Sequence, residues 1–362
     1  MPNRRTVIAL LTRGLTTFVA ALGSPLGRAA ASAADAPEAT SVDAAGVGTA
    51  RGGPPVRLQL AHLNWSIAGN SRRKACDKFL LDVFGAQTGA EILMTPDNVG
   101  TGIAREESLL VIGDTMLVPI AAYRGGSEGD DPAVTALLER HAVDGQWIGI
   151  ALFPDDLQAV ARWCRDLGFE PIYRPGLEHV YFVLDRDKTL GMRFEFVKAL
   201  PNDPRFAPDW DAGWWKDAHP LGIERLQTIG LGVTDLKQAR DLLTGKFGFP
   251  EVATRKRPDE PADCVDFHVG GVLVEAMQPT DSSSALAAHV RDVGGIYGIT
   301  FKVKSLSAAA AHLRGQGLRL IGDTKTRFLI DPQQAFTRRI YFEERVLDGD
   351  PRGDRSAMRW GS

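Results

Sequence analysis

The chain has 362 residues, 44% hydrophobic and 24% charged, with 42 Lys and Arg against 45 Asp and Glu. That length suits two or three domains, and the apolar content excludes wholesale disorder. A net charge of −3 argues against a general nucleic-acid binder, which needs a basic face to displace counterions. Three cysteines, Cys76, Cys164 and Cys264, exclude a disulfide scaffold. None forms a CxxC pair, which excludes a cysteine zinc site, and each reads as a small buried apolar residue. No uninterrupted apolar run reaches the ~18 residues of a transmembrane helix.

The N-terminus has the layout of an export signal. Arg4 and Arg5 precede a mildly apolar run, and Ala31-Ser32-Ala33 offers a cleavage site. The order Asn3-Arg4-Arg5-Thr6-Val7-Ile8 resembles a twin-arginine signal. Residues 1–33 therefore predict export to the periplasm or beyond the cell. The alternative is an unstructured Ala-rich extension on a cytoplasmic protein. Residues 34–55, rich in Ala, Gly, Pro, Ser and Thr, read as a flexible tether.

Four segments of the remainder share one grammar. Each opens with an alternating apolar strand, continues into an amphipathic helix, ends near a glycine and closes with more strands. The openings are LAHLNWSIAG from Leu60, QWIGIALFPDD from Gln146, LQTIGLGVTDL from Leu226 and YGITFKVKSL from Tyr297. Asp155, Thr234 and Ser305 stand near helix starts as candidate caps. From His62, Trp147, Thr228 and Gly298 to the glycine after each helix (Gly85, Gly168, Gly248, Gly317) is 23, 21, 20 and 19 residues. From Gly168 to Glu195 and from Gly248 to Glu275 is 27 residues each time. Each unit reads as strand, helix and about three strands. One unit leaves an apolar sheet face bare, so units must pair. The expected class is α+β, with four βαβββ modules paired into two domains, residues 56–200 and 223–345. Residues 201–222, rich in Pro, Asp and Trp, read as the linker, and residues 346–362 as a tail. Trp210, Trp214 and Trp215 read as a clamp packed on a domain.

The third unit, LQTIGLGVTDLKQARDLLTGKFGFPEV with GGVLVEAMQP, resembles modules of the vicinal oxygen chelate superfamily. That group includes glyoxalase I, bleomycin-resistance proteins and extradiol dioxygenases. The second unit is similar through GIALFPDDLQAVARWCRDLGFEPIY and GMRFEFVKA; the fourth is recognisable and the first looser. The resemblance implies paired modules that enclose a cavity. It also implies a divalent metal held by His or Gln from first strands and Glu from last strands, polarising adjacent oxygens of a substrate.

Mapped onto this sequence, the resemblance places His62 at a first-strand ligand position and Glu195 at a last-strand one. These two are the expected ligands of an Fe, Mn, Ni or Zn ion. Trp147 replaces the ligand of the second module, and Val118 or Pro119 stands where the first module would carry Glu. In the C-terminal pair Thr228 and Gly298 replace ligands, Glu275 matches the carboxylate, and Tyr341 takes the last position with Glu343 two residues on. Trp147, His179, Thr228, His268, Glu275 and Tyr341 are the expected substrate-binding residues. His141, His219, His289 and His312 read as linker or helix-surface residues, and Arg255-Lys256-Arg257 as a solvated hairpin or loop. No GxSxG, Walker motif or GxGxxG after a strand is present.

Three functions follow as expectations. The first is a metal-assisted lyase, isomerase or oxygenase acting on a small molecule with adjacent oxygens, through His62 and Glu195. The second is a metal-free binding protein for a small molecule, as in the bleomycin-resistance branch. The third gives one degenerate domain a scaffolding role for the other or for a homodimer.

Overall fold

The structure, a computed structural model, describes residues 53–67, 69–94, 105–122, 146–173, 178–198, 203–207, 209–257 and 259–353. The expected export signal and nearly all of the tether lie outside these residues. The described elements belong to one compact unit, Thr49–Ser362. No helix among them is long and apolar enough to cross a membrane.

The four modules appear in chain order. The first holds β1 (Leu58–Ile67), the helix Asn70–Phe84, β2 (Gln87–Met94), β3 (Arg105–Ile112) and β4 (Thr115–Ala122). The second holds β5 (Trp147–Pro154), the helix Leu157–Asp166, β6 (Ile172–Tyr173), β7 (Tyr181–Val183) and β8 (Arg193–Val197). The third holds β9 (Ile223–Gly232), the helix Leu236–Arg240, β10 (Glu251–Arg257), β11 (Ala262–Val269) and β12 (Val272–Pro279). The helix Ala285–Asp292 leads to the fourth: β13 (Gly295–Val303), the helix Leu306–Gly315, β14 (Leu320–Asp323), β15 (Arg327–Ile330) and β16 (Arg339–Glu343).

Two eight-stranded sheets result, ordered β2-β3-β4-β1-β5-β8-β7-β6 and β10-β11-β12-β9-β13-β16-β15-β14. The first module pairs with the second and the third with the fourth, as the repeat implied. In each sheet the opening strands of two modules meet antiparallel at the centre, while each module's last strand runs parallel to its first.

The helices of the second, third and fourth modules begin at a side-chain cap. Asp156 Oδ1 accepts from the N–H groups of Gln158 and Ala159 at 2.9 and 3.0 Å, and Asp235 accepts from Lys237 N–H at 2.7 Å. These caps lie one residue beyond the expected Asp155 and Thr234; Ser305 caps as expected, from Ala308 N–H at 3.3 Å. Leu157, Val160, Ala161 and Cys164 then face the sheet at helical spacing. Gly85, Gly168, Gly248 and Gly317 have φ between 61° and 84°, a conformation that costs glycine little. All three cysteines are buried.

One apolar core runs through both halves, from Leu63 and Trp65 on β1 to Phe328 and Phe342 on β15 and β16. Polar bonds join the halves as well. Leu60 N–H donates to Gly270 O at 2.7 Å, and Leu226 N–H to Asp114 Oδ1 at 2.9 Å. The expected linker packs closely: Trp215 is buried against Trp210 and Trp214, and its indole N–H donates to Phe84 O at 3.0 Å. His219, expected as a linker or helix-surface residue, lies in the linker segment but is buried beside His312, and burial and then that neighbour lower its pKa to about 4.

A short repeat recurs after the last strand of each half. Asp203-Pro204-Arg205 and Asp350-Pro351-Arg352 fold alike. In each, the Asp accepts from the N–H and the guanidinium of the Arg two residues on. Arg205 donates to Ala61 O at 2.8 Å and Asp114 O at 3.4 Å. Arg352 donates to Leu226 O at 2.8 Å, Gln227 O at 2.7 Å and Gly271 O at 3.1 Å. Each arginine thus ties a hairpin turn to the first strand of its half. Leu347, Asp350 and Arg352 are buried, so the expected tail begins inside the fold.

Truncating Arg205 takes the guanidinium from the buried Asp203 and two carbonyls; truncating Arg352 frees three carbonyls and leaves Asp350 to Arg225. Arg352→Ala is expected to lower stability by about 3–5 kcal/mol, and Arg205→Ala by a similar amount. Urea denaturation checks this; a loss below about 1 kcal/mol in both, typical of an exposed pair, would show the tie to be dispensable.

Candidate functional site

The central strand pairs set the side chains of two concave faces. In the N-terminal half the register aligns His62 with Ala151 and Ala151 with Glu195. Alanine between them leaves room for the longer side chains to meet, and His62 Nε2 stands 3.6 Å from Glu195 Oε1. The other carboxylate oxygen accepts from Asn64 Nδ2 at 3.1 Å and lies 3.5 Å from the Arg193 guanidinium. Both expected metal ligands therefore converge, but with an arginine and an amide on the same carboxylate.

This donor set does not fit a hard divalent ion. Such an ion wants three or more imidazole or carboxylate ligands. Among the described residues no group of three His, Cys, Asp or Glu stands together. Val118, across from Asn64 on β4, stands where the other half carries Glu275, which lies across from Gly230 on β12.

Trp147, expected among the substrate-binding residues, lies in the core instead. It packs in the core against Trp65, ring centroids 5.1 Å apart, with the Arg338 guanidinium 5.5 Å from its ring. Register shifts after Leu60 and after Asn64 account for this: counting from the strand start misses both irregularities. His179 is exposed in the turn before β7. His268 shares a strand face with Asp266 but lies at the far end of β11. There burial, and then the charge of Arg352, lower its pKa.

The C-terminal half brings three expected residues together. Thr228, Glu275 and Tyr341 line one pocket with Gly230, Met277, Tyr297, Gly298, Thr300 and Arg327. The pocket is narrow, with no space at its centre for a sphere the size of water. Thr300 stands across from Thr228 on one side and Tyr341 on the other. Arg327 reaches in from β15, its guanidinium 3.7 Å from the Tyr341 ring centroid, and donates to Thr300 Oγ1 at 3.4 Å.

Glu275 is almost wholly buried and is held by arginine. Arg257 Nε and Nη2 donate to its two oxygens at 2.8 and 3.2 Å, and Arg255 Nε lies 3.4 Å away. Arg255 also pairs with Asp266, and Arg257 lies 3.6 Å from Glu343. Burial pushes the Glu275 carboxyl up, but the two guanidiniums outweigh it and hold the group below its ordinary value. The expected solvated run is thus split by the strand pleat: Arg255 and Arg257 point inward, and Lys256 points to solvent. Period-two spacing in RKR was the signal that could have found them. Asn64, Arg193, Thr300, Arg327 and Glu260 had no comparable signal.

A carboxyl held low in the folded state stabilises above its unfolded value, and this is lost as pH falls through the folded one. Glu275→Gln should therefore flatten the loss of stability below about pH 4.5 and cost roughly 3 kcal/mol near pH 7, where it leaves buried Arg257 only the more distant Glu343 carboxylate. Denaturation followed across pH checks both; an unchanged acid limb would show that Glu275 is not held ionised.

Comparison with known proteins places the fold. Residues 227–334 match the family model described as Glyoxalase/Bleomycin resistance protein/Dioxygenase superfamily. A triple mutant of 4-hydroxymandelate synthase from Streptomyces coelicolor is similar at TM-score 0.54 and 15% identity, covering 81% of this chain and 95% of that one. An extradiol ring-cleaving dioxygenase from B. fuscum is similar at TM-score 0.51 and 13% identity, covering 82% and 74%. No curated protein matches the chain in sequence. Residues 227–334 therefore match the Glyoxalase/Bleomycin resistance protein/Dioxygenase superfamily, and the two paired halves share the fold of these solved structures.

Proposed function

We propose that the chain binds a small oxygen-bearing molecule in its C-terminal pocket, with guanidinium groups in place of a divalent metal. The observation that carries this reading is the two-point bond from Arg257 to Glu275, reinforced by Arg255. The carboxylate that the fold offers to a cation already has one, built into the chain. A fixed guanidinium balances charge without the open coordination position that a catalytic metal needs.

What remains for a ligand is hydroxyl, phenol and guanidinium against apolar walls. Thr228, Thr300, Tyr297, Tyr341 and Arg327 supply polar contacts, and Met277 and the tyrosine rings supply packing. That mixture suits a compact, oxygenated molecule with a flat hydrocarbon part. The narrowness of the pocket implies that side chains shift when the ligand enters.

Titration with catechol, a neutral molecule with adjacent oxygens, tests the reading. Thr228→Val removes one hydroxyl and should weaken binding about fivefold, the effect of roughly 1 kcal/mol. Protein exposed to manganese, iron, nickel or zinc and then desalted should retain well below one equivalent. One retained equivalent that is lost in His62→Ala and Glu195→Ala would overturn the metal-free reading and favour metal-assisted chemistry in the N-terminal half.

A further inference from the structure

Two carboxylates of the chain itself, outside the pocket lining, bind donors that line the pocket. Asp259 and Glu260 lie just ahead of β11. The Glu260 carboxylate accepts a hydrogen bond from the Tyr297 phenol at 2.9 Å and another from Tyr341. Asp259 forms an ion pair with Arg327. Tyr297, Tyr341 and Arg327 all line the pocket. Three of its strongest donors therefore point at internal acids.

Burial shows which partner a newcomer would meet first. The Arg327 side chain is 8% exposed and that of Asp259 39%. The acid stands at the solvent edge with the base behind it. Burial, and then the Glu260 charge, raise both tyrosine hydroxyls above the ordinary phenol range, so they remain donors. A carboxylate arriving from solvent would find a guanidinium and two phenols already arranged around oxygens of its own kind. These donors are already engaged by the internal acids, so an external acid takes them by exchange.

We propose that the pocket takes a compact carboxylate with an oxygen on a neighbouring carbon, and that Asp259 and Glu260 occupy its place until it binds. This rests on the reading of the C-terminal pocket as a small-molecule site, and it names the class of molecule. The ligand carboxylate pairs with Arg327 in place of Asp259. Its second oxygen accepts from Tyr297 and Tyr341 in place of Glu260. The displaced acids turn to water, where ionised carboxylates are well solvated. At the guanidinium one anion replaces another, while the two phenols exchange a carboxylate for the neutral second oxygen of the ligand.

Calorimetric titration of the full-length protein with 2-hydroxybenzoate, benzoate and catechol tests this, in wild type, Glu260→Gln and Asp259→Asn. Removing an internal acid removes both a competitor and a like charge. Each variant should bind 2-hydroxybenzoate about tenfold more tightly than wild type, while catechol changes by less than about threefold. Benzoate, without the second oxygen, should bind more weakly than 2-hydroxybenzoate throughout. Adding Arg327→Gln to Asp259→Asn should abolish the gain. Equal tightening for catechol and 2-hydroxybenzoate would show that the acids only fill space, and would overturn the proposal. Unchanged or weaker 2-hydroxybenzoate binding, with catechol still bound, would overturn it and leave the small-molecule reading standing. No binding of any probe to any variant, with the circular dichroism of wild type preserved, would overturn both.

Discussion

Everything in this protein depends on the antiparallel seam between opening strands, β1 with β5 and β9 with β13. A single module leaves an apolar sheet face uncovered, and the seam is where two modules close one curved surface. Residues at the seam are small where strands and side chains crowd. A Cβ on Gly298 would lie 2.9 Å from Arg339 O and 3.0 Å from the Tyr341 ring; one on Gly149 would lie 2.0 Å from Arg193 O. Glycine at these two positions lets neighbouring strands and rings approach. The concave faces, and so both candidate sites, are consequences of that approach.

The two halves use the same scaffold for different electrostatics. Glu195 and Tyr341 occupy corresponding places, across from Ala151 and Thr300. In the N-terminal half the carboxylate is shared among His62, Asn64 and Arg193. In the C-terminal half the carboxylate moves to Glu275 on β12, and a buried network of arginines and acids surrounds it. In both, a guanidinium lies against the carboxylate. Arginine is suited to this because its planar fork bonds both oxygens and stays charged when buried. Such a network is costly to break, because removing any one member leaves a buried charge short of a partner.

The repeat was legible because period and spacing are local properties of a chain. Apolar alternation marks strands, helical stripes mark helices, and glycine marks the exits. Thr228, Glu275 and Tyr341 are expected on one concave face because the family resemblance, aligned by the repeat spacing, maps them to ligand positions. Trp147 could not be placed this way, because bulges change register without altering composition. The Asp-Pro-Arg repeat was present in the sequence but silent. Three residues recurring once, 147 positions apart, carry no periodic signal until both arginines are seen on first-strand carbonyls.

By itself the sequence determined the class of fold, the number of modules and which modules pair, since each follows from hydrophobic pattern over tens of residues. It also placed a carboxylate in each concave face. Only the tertiary structure decided what neutralises those carboxylates. Arg255 and Arg257 lie 20 and 18 residues from Glu275, and Arg327 and Glu260 reach the Tyr341 side chain from other strands and turns. The reason is physical. Backbone pattern is set by neighbours along the chain, whereas the charge state of a buried site is set by whichever side chains the closed sheet brings within a few ångströms.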